Sequence, residues 1–167
     1  MAMGRIRKSI EIRARPEDVF AYMDDVKLRG SHMLGMGRDF RPEILSKNET
    51  GVGATYRWRG TMYGVKFGWT EVVTKWVENR EKLHHSIEGL NIDMGWSLTP
   101  SDDGTILTIT MDYDIGYSLL GKLIDWLWAE RYCSTGINAD FEHMKEILEK
   151  PRAEAMGDGG KTVEVMS

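Results

Sequence analysis

The chain has 167 residues, with 22 Lys and Arg against 26 Asp and Glu, giving a net charge of −4. That balance offers no general attraction to phosphate backbones, so nucleic acid is not an expected partner. The single cysteine, Cys133, excludes an intramolecular disulfide and gives no metal-ligand spacing, and the length fits one domain that buries roughly 70% of its unfolded surface.

Residues Met1 to Lys8 lack the apolar core of a signal peptide, and no segment approaches the ~18 apolar residues of a membrane span. The reading is therefore a soluble, cytoplasmic protein. Ile6, Lys8, Ile10 and Ile12 alternate with Arg5, Arg7, Glu11 and Arg13, the period of a strand with one buried face. The basic run through Arg15 is interrupted by Glu11 and reads as a solvated strand face. Pro16 opens a helix, with Glu17 and Asp18 at its positive end and Val19, Phe20 and Met23 as its inner stripe. From Val26 to Asp39 the pattern loosens. Gly30, Gly35 and Gly37 surround Met33, Leu34 and Met36, so a short helix or a mobile lid over residues 30–37 is expected.

Six further strands are predicted, roughly Arg41 to Ser46, Ala54 to Arg59, Val65 to Trp76, Lys82 to Glu88, Ile92 to Thr99 and Thr105 to Ile115, separated by glycine- and asparagine-rich turns. The short connections imply antiparallel neighbours. A long helix follows from Ser118 to Lys150, about 45 Å at 1.5 Å per residue. Its broad apolar face carries Leu120, Leu123, Ile124, Leu127, Trp128, Tyr132, Ile137, Phe141, Met144 and Leu148. Gly136 inside it costs ~1 kcal/mol relative to alanine; a kink or a close backbone approach would account for it. Pro151 stops the helix, leaving one domain over residues 1–150 and a flexible tail over 151–167. The fold class is α+β: a curved antiparallel sheet of about seven strands wrapped around the long C-terminal helix, with one or two short helices after the first strand.

Several motifs in this order carry a resemblance. They are Ile10-Glu11-Ile12-Arg13-Ala14-Arg15-Pro16-Glu17-Asp18-Val19-Phe20-Ala21-Tyr22, then Gly51-Val52-Gly53, Glu71-Val72, Asp103-Gly104-Thr105 and the terminal helix. Over about Arg5 to Glu149 the chain resembles the START-like superfamily, also called SRPBCC or helix-grip. That group includes polyketide cyclase/dehydrase-like, coenzyme-Q-binding and birch-pollen-allergen-like proteins. The resemblance implies a deep apolar cavity between sheet and helix, used for lipids, polyketides, quinones or hormones. It does not imply one activity, because the fold carries binding proteins, cyclases and hydrolases alike. The family often has a tryptophan and a proline after the first helix, where this chain has Gly30 to Gly37.

Strand parity nominates an inward set. Leu107, Ile109, Met111 and Tyr113 share one face of the last strand; Ile92, Met94, Trp96 and Leu98, then Leu83, His85 and Ile87, and Tyr56 with Trp58 are read inward by the same rule. Phe67 and Trp69 belong to the same face. From these the expected ligand-binding residues are Tyr56, Trp58, Phe67, Trp69, His85, Met94, Trp96, Met111 and Tyr113, with Leu120, Ile124, Leu127, Trp128 and Tyr132 from the helix. Such residues also fill ordinary cores. As a group, adaptable methionines and polar-tipped aromatics suit a wall that holds an apolar ligand and fixes one end by hydrogen bonds.

Three ionisable groups, Lys8, Glu71 and His85, fall on the apparently inner faces, and each buried charge must be paired or neutralised. Glu71 shares parity with Phe67 and Trp69; either a bulge in that long strand, turning it outward and bringing Val72 in, or an exposed edge is expected to account for it. Lys8 is expected to reach water from a strand end. A metal centre fails on spacing: His84 and His85 point to opposite faces, and His32 and His143 have no joining pattern. No cofactor motif is present. The first expectation is binding or transport of a small hydrophobic molecule: a lipid, an isoprenoid quinone or a polyketide-like compound. The alternatives are a cyclase or dehydratase with His85 as general acid/base and Tyr113, Tyr56 or Glu71 orienting the substrate, or a protein-interaction module using the glycine/methionine segment.

Overall fold

The computed structural model describes residues 3–32, 39–62, 65–114 and 123–149, with side chains described for 4–30, 39–61, 66–113 and 134–149. Seven strands form one antiparallel sheet: β1 (Met3–Ile12), β2 (Arg41–Ile44), β3 (Thr55–Met62), β4 (Val65–Val77), β5 (Glu81–Gly89), β6 (Asn91–Pro100) and β7 (Thr105–Asp114). Their order is β1-β7-β6-β5-β4-β3-β2, so only the return of β7 to β1 departs from neighbour-to-neighbour pairing. Helices α1 (Pro16–Asp24) and α2 (Val26–His32) follow β1, and α3 (Leu123–Leu148) follows β7. The open sheet curves around α3, as the helix-grip reading requires.

Local chemistry explains the joints. Pro16 sits in the first turn of α1, and Arg15 pairs with Asp18 at 3.0 Å. Gly51 and Gly53 both adopt φ +87° in the turn before β3, a backbone region that a Cβ disfavours. At Gly104 a side chain would run into the Ile12 carbonyl, and Thr105 Oγ1 donates to the Ala14 carbonyl at 2.8 Å. The Asp103-Gly104-Thr105 motif thus lets β7 start flush against the end of β1. Helix α3 is tied there too, since Glu149 accepts a hydrogen bond from the Arg13 backbone N–H at 2.9 Å.

The core is divided. Phe141 and Met144 of α3 pack with Ile12, Phe20, Trp96 and Leu107, whereas Phe40, Tyr56, Trp58, Trp69 and Val73 form a separate aromatic cluster across β3 and β4. In that second cluster Phe40 stacks on Trp58 at 5.0 Å. Helix α3 runs through Gly136, which is buried. Residues 33–38, most of the segment read as a lid, lie outside the described residues, as does the tail after 149. The preceding residues are helical: Gly30 of α2 lies close against Pro42, and a Cβ there would come within 2.6 Å of its Cγ.

Three expectations are corrected here. In β5 the inward residues are Lys82, His84 and Ser86, while His85 faces outward with Leu83 and Ile87, the last 58% exposed. Glu71, expected to turn outward, is only 2% exposed. The cause is where the bulges fall. Glu71 pairs with Ser86 and Thr70 with Glu88, leaving Ile87 of β5 unmatched; Val73 pairs with His84 and Lys75 with Leu83, leaving Thr74 unmatched. The first irregularity inserts its residue into β5 and not into β4, so Trp69, Glu71 and Val73 stay on one face. Leu83 gains outer-face cover at Gly95, where the missing side chain leaves room for its methyl group. Lys8, half-buried, lies mid-strand opposite Ile109 and not at an end.

Candidate functional site

A cavity of about 70 Å³ lies between the sheet and the helices. Met94, Trp96, Ile109 and Met111 form its floor from β6 and β7, and Trp69 borders it from β4. Ile137, Phe141 and Met144 cover it from α3, with Tyr22 and Met23 from α1. Two charged side chains also line it: Arg29 of α2 and Asp140 of α3. The walls are otherwise apolar. The indole Nε1 of Trp96 is buried and has no hydrogen-bond partner among the described residues.

Next to this space, the inner face of β3, β4 and β5 holds a buried polar cluster. Glu71 is its centre: Oε1 accepts from Trp58 Nε1 at 2.9 Å and Oε2 from Trp69 Nε1 at 2.8 Å. His84 Nδ1 lies 3.1 Å from Oε1. Burial pushes the Glu71 carboxyl up, but the facing imidazole and the two indole donors outweigh it and hold the group at about 2. Burial also dominates at His84, pulling it below its ordinary 6.5 against the attraction of Glu71. At neutral pH the pair is therefore a carboxylate beside a neutral imidazole.

A second buried pair lies alongside. Lys82, 1% exposed, donates to Asp24 Oδ1 at 2.7 Å and to the Tyr56 hydroxyl at 3.3 Å. Trp76 Nε1 donates to the same Asp24 oxygen at 3.1 Å, and the Tyr56 O–H donates to the Glu49 carbonyl at 2.8 Å. Desolvation lowers the Lys82 ammonium more than Asp24 raises it. Burial pushes the Tyr56 phenol well up, so it remains a hydrogen-bond donor.

The predicted site residues separate accordingly. Trp69, Met94, Trp96 and Met111 border the cavity. Tyr56 and Trp58 belong to the polar cluster, and Phe67 stacks on Phe40 at 5.9 Å. Tyr113 is buried with Ile6 and Met111, its ring over Gly4. His85 pairs with Asp93 on the outer face, away from all of these. Leu120 lies outside the described residues; Ile124, Leu127, Trp128 and Tyr132 are on α3, but their side chains are not described. Sequence reading missed Asp24, Arg29, Lys82, His84 and Asp140. For Arg29 a signal existed, because Val26, Arg29 and Gly30 share helical spacing, and Val26 and Gly30 are both buried. Among the described residues no cluster of His, Cys, Asp or Glu could hold a metal, and no helix is long and apolar enough to cross a membrane.

The family described as polyketide cyclase / dehydrase and lipid transport matches residues 3–149. Among solved structures, the chain is similar to protein CV1439 from Chromobacterium violaceum, with 16% identity, a TM-score of 0.67, and coverage of 89% of this chain and 99% of that one. It is similar to TTHA0849 from Thermus thermophilus, with 19% identity, a TM-score of 0.66, and coverage of 89% and 97%. A START superfamily protein from Mycobacterium smegmatis matches with 14% identity, a TM-score of 0.64, and coverage of 87% and 97%. At such identities the likeness is one of fold. No curated protein matches the sequence.

Proposed function

We infer that this chain, which belongs to the polyketide cyclase / dehydrase and lipid transport family, binds a small hydrophobic molecule between its sheet and its C-terminal helix. The ligand is a lipid, an isoprenoid quinone or a polyketide-like compound. The observation that carries this reading is the apolar cavity bounded by Met94, Trp96, Met111 and Phe141. At about 70 Å³ it is smaller than the roughly 300–1,000 Å³ of a typical ligand pocket, so a ligand must displace side chains. Met23, Met94, Met111 and Met144 border it, and unbranched thioethers change rotamer at little cost.

Trp69 and Trp96 at the wall provide the reporter. Titration with a short-chain quinone, a medium-chain lipid and an aromatic polyketide-like compound should give a saturable change in tryptophan fluorescence for at least one of them. Met111→Phe, which fills the space, should weaken that response while the protein stays folded. A linear, unsaturable response to every compound refutes the reading.

A second reading, an acid/base enzyme of cyclase or dehydratase type, is favoured by His84 in place of His85. Its Nδ1 faces Glu71, and its Nε2 has no partner among the described residues. Glu71 would orient the ring and Nε2 would exchange the proton. Once turnover of any carbonyl substrate is measured, His84→Gln should abolish it and leave binding intact; unchanged turnover removes this role.

A further inference from the structure

Arg29 is 8% exposed. Among the described residues it donates to the Met23 carbonyl at a long 3.4 Å, and its guanidinium carbon lies 5.6 Å from the centre of the Trp58 ring. No carboxylate oxygen among the described residues comes within 4.0 Å of it. The nearby carboxylates are committed elsewhere: Glu71 to the two indoles and His84, Asp24 to Lys82 and Trp76. Asp140, the cavity's own carboxylate, is itself engaged in an interaction. A guanidinium carries five N–H donors in a planar fork, and the Met23 carbonyl engages one of them, at long range. Arg29 nevertheless lines the apolar cavity.

We propose that Arg29 is the recognition group for an anionic head, and that the cavity takes amphipathic monocarboxylates: an apolar chain or ring system ending in a carboxylate. The fork geometry of Arg matches a carboxylate in a bidentate pair. A single cation among the lining residues suits one negative charge and disfavours a phosphate dianion. The remaining walls, Met94, Trp96, Met111 and Phe141 among them, offer an apolar tail its cover. This inference rests on the cavity being the ligand site.

The test compares decanoate with decan-1-ol, which share a tail and differ in charge, by calorimetry at pH 7.4 on the full chain. Decanoate should bind at least tenfold more tightly than the alcohol. Arg29→Met, of similar length and apolar, should erase that preference and leave alcohol binding within about twofold; Arg29→Lys should keep part of it. Equal binding of acid and alcohol by the wild-type protein overturns the proposal while leaving the cavity as a ligand site, and needs no variant to fold. A preference that survives in Arg29→Met also overturns it. Binding of neither compound also overturns this proposal, and the ligand site itself then stands or falls on the quinone, lipid and polyketide-like titrations above.

Discussion

Replacing Glu71 by glutamine tests the buried cluster most sharply, because the change is isosteric and removes one charge. The carboxylate accepts two indole N–H bonds, at 2.9 and 2.8 Å, and faces His84 at 3.1 Å. Glutamine keeps one acceptor oxygen and turns an NH2 donor toward a second donor, leaving one buried indole unsatisfied. Hydrogen bonds to charged groups contribute about 1.5–3 kcal/mol, and stranding a buried donor costs about 1–3 kcal/mol, so Glu71→Gln should destabilise by about 3 kcal/mol. Linkage gives an independent figure. A carboxyl held at about 2 against an ordinary 4.5 contributes about 3 kcal/mol above pH 4.5. Because the folded value is depressed, the unfolded chain takes up the proton first, and this stability is lost as pH falls from 4.5 through 2. Urea unfolding of both proteins at pH 7 and at pH 3 should therefore show the difference shrinking by about half or more. A cost under about 1 kcal/mol at pH 7, or a difference independent of pH, would refute the assignment.

Other outcomes follow from the same geometry. His84 is held below 6.5 by burial, so the unfolded chain protonates first as pH drops and stability falls; His84→Gln should flatten the stability curve as pH falls below 6.5, as denaturant titration at stepped pH will reveal. Phe141→Ala removes a buried ring shared by α3 and the α1 cluster and should cost about 3–5 kcal/mol, read as a lowered urea midpoint. At Gly104 a new Cβ would meet the Ile12 carbonyl and lie 2.9 Å from Arg13 Cα, so Gly104→Ala should cost about 1–3 kcal/mol through forced backbone movement; an unchanged melting temperature would contradict the close approach.

Much of the architecture was legible because its signals are local. The alternation of Ile6, Ile10 and Ile12 with charges, the proline opening α1, and the glycines that now stand at φ +87° each report a constraint within a few residues. The candidate site was less legible because side-chain direction along β5 depends on register with β4. Two inserted residues, Ile87 and Thr74, reset that register, and the outward Leu83 finds cover on a glycine of another strand. Hydrophobicity alone therefore chose the wrong face, placing His85 inside and leaving Lys82 and His84 out. Glu71 was read as a liability to be turned away, since its indole donors come from Trp58 on a neighbouring strand and Trp69 two residues back, a pairing visible only once the strands are in register. Arg29 was hidden by the glycines around it, which suggested a loose segment where Gly30 instead permits α2 to sit close on Pro42.

Native mass spectrometry of the full chain, incubated with extracted cell lipids and then desalted, tests most directly whether the interior accepts a hydrophobic guest. A one-to-one adduct that is released on denaturation and reduced in Met111→Phe is the predicted result. The bare protein mass alone, across every lipid extract and concentration, would contradict it.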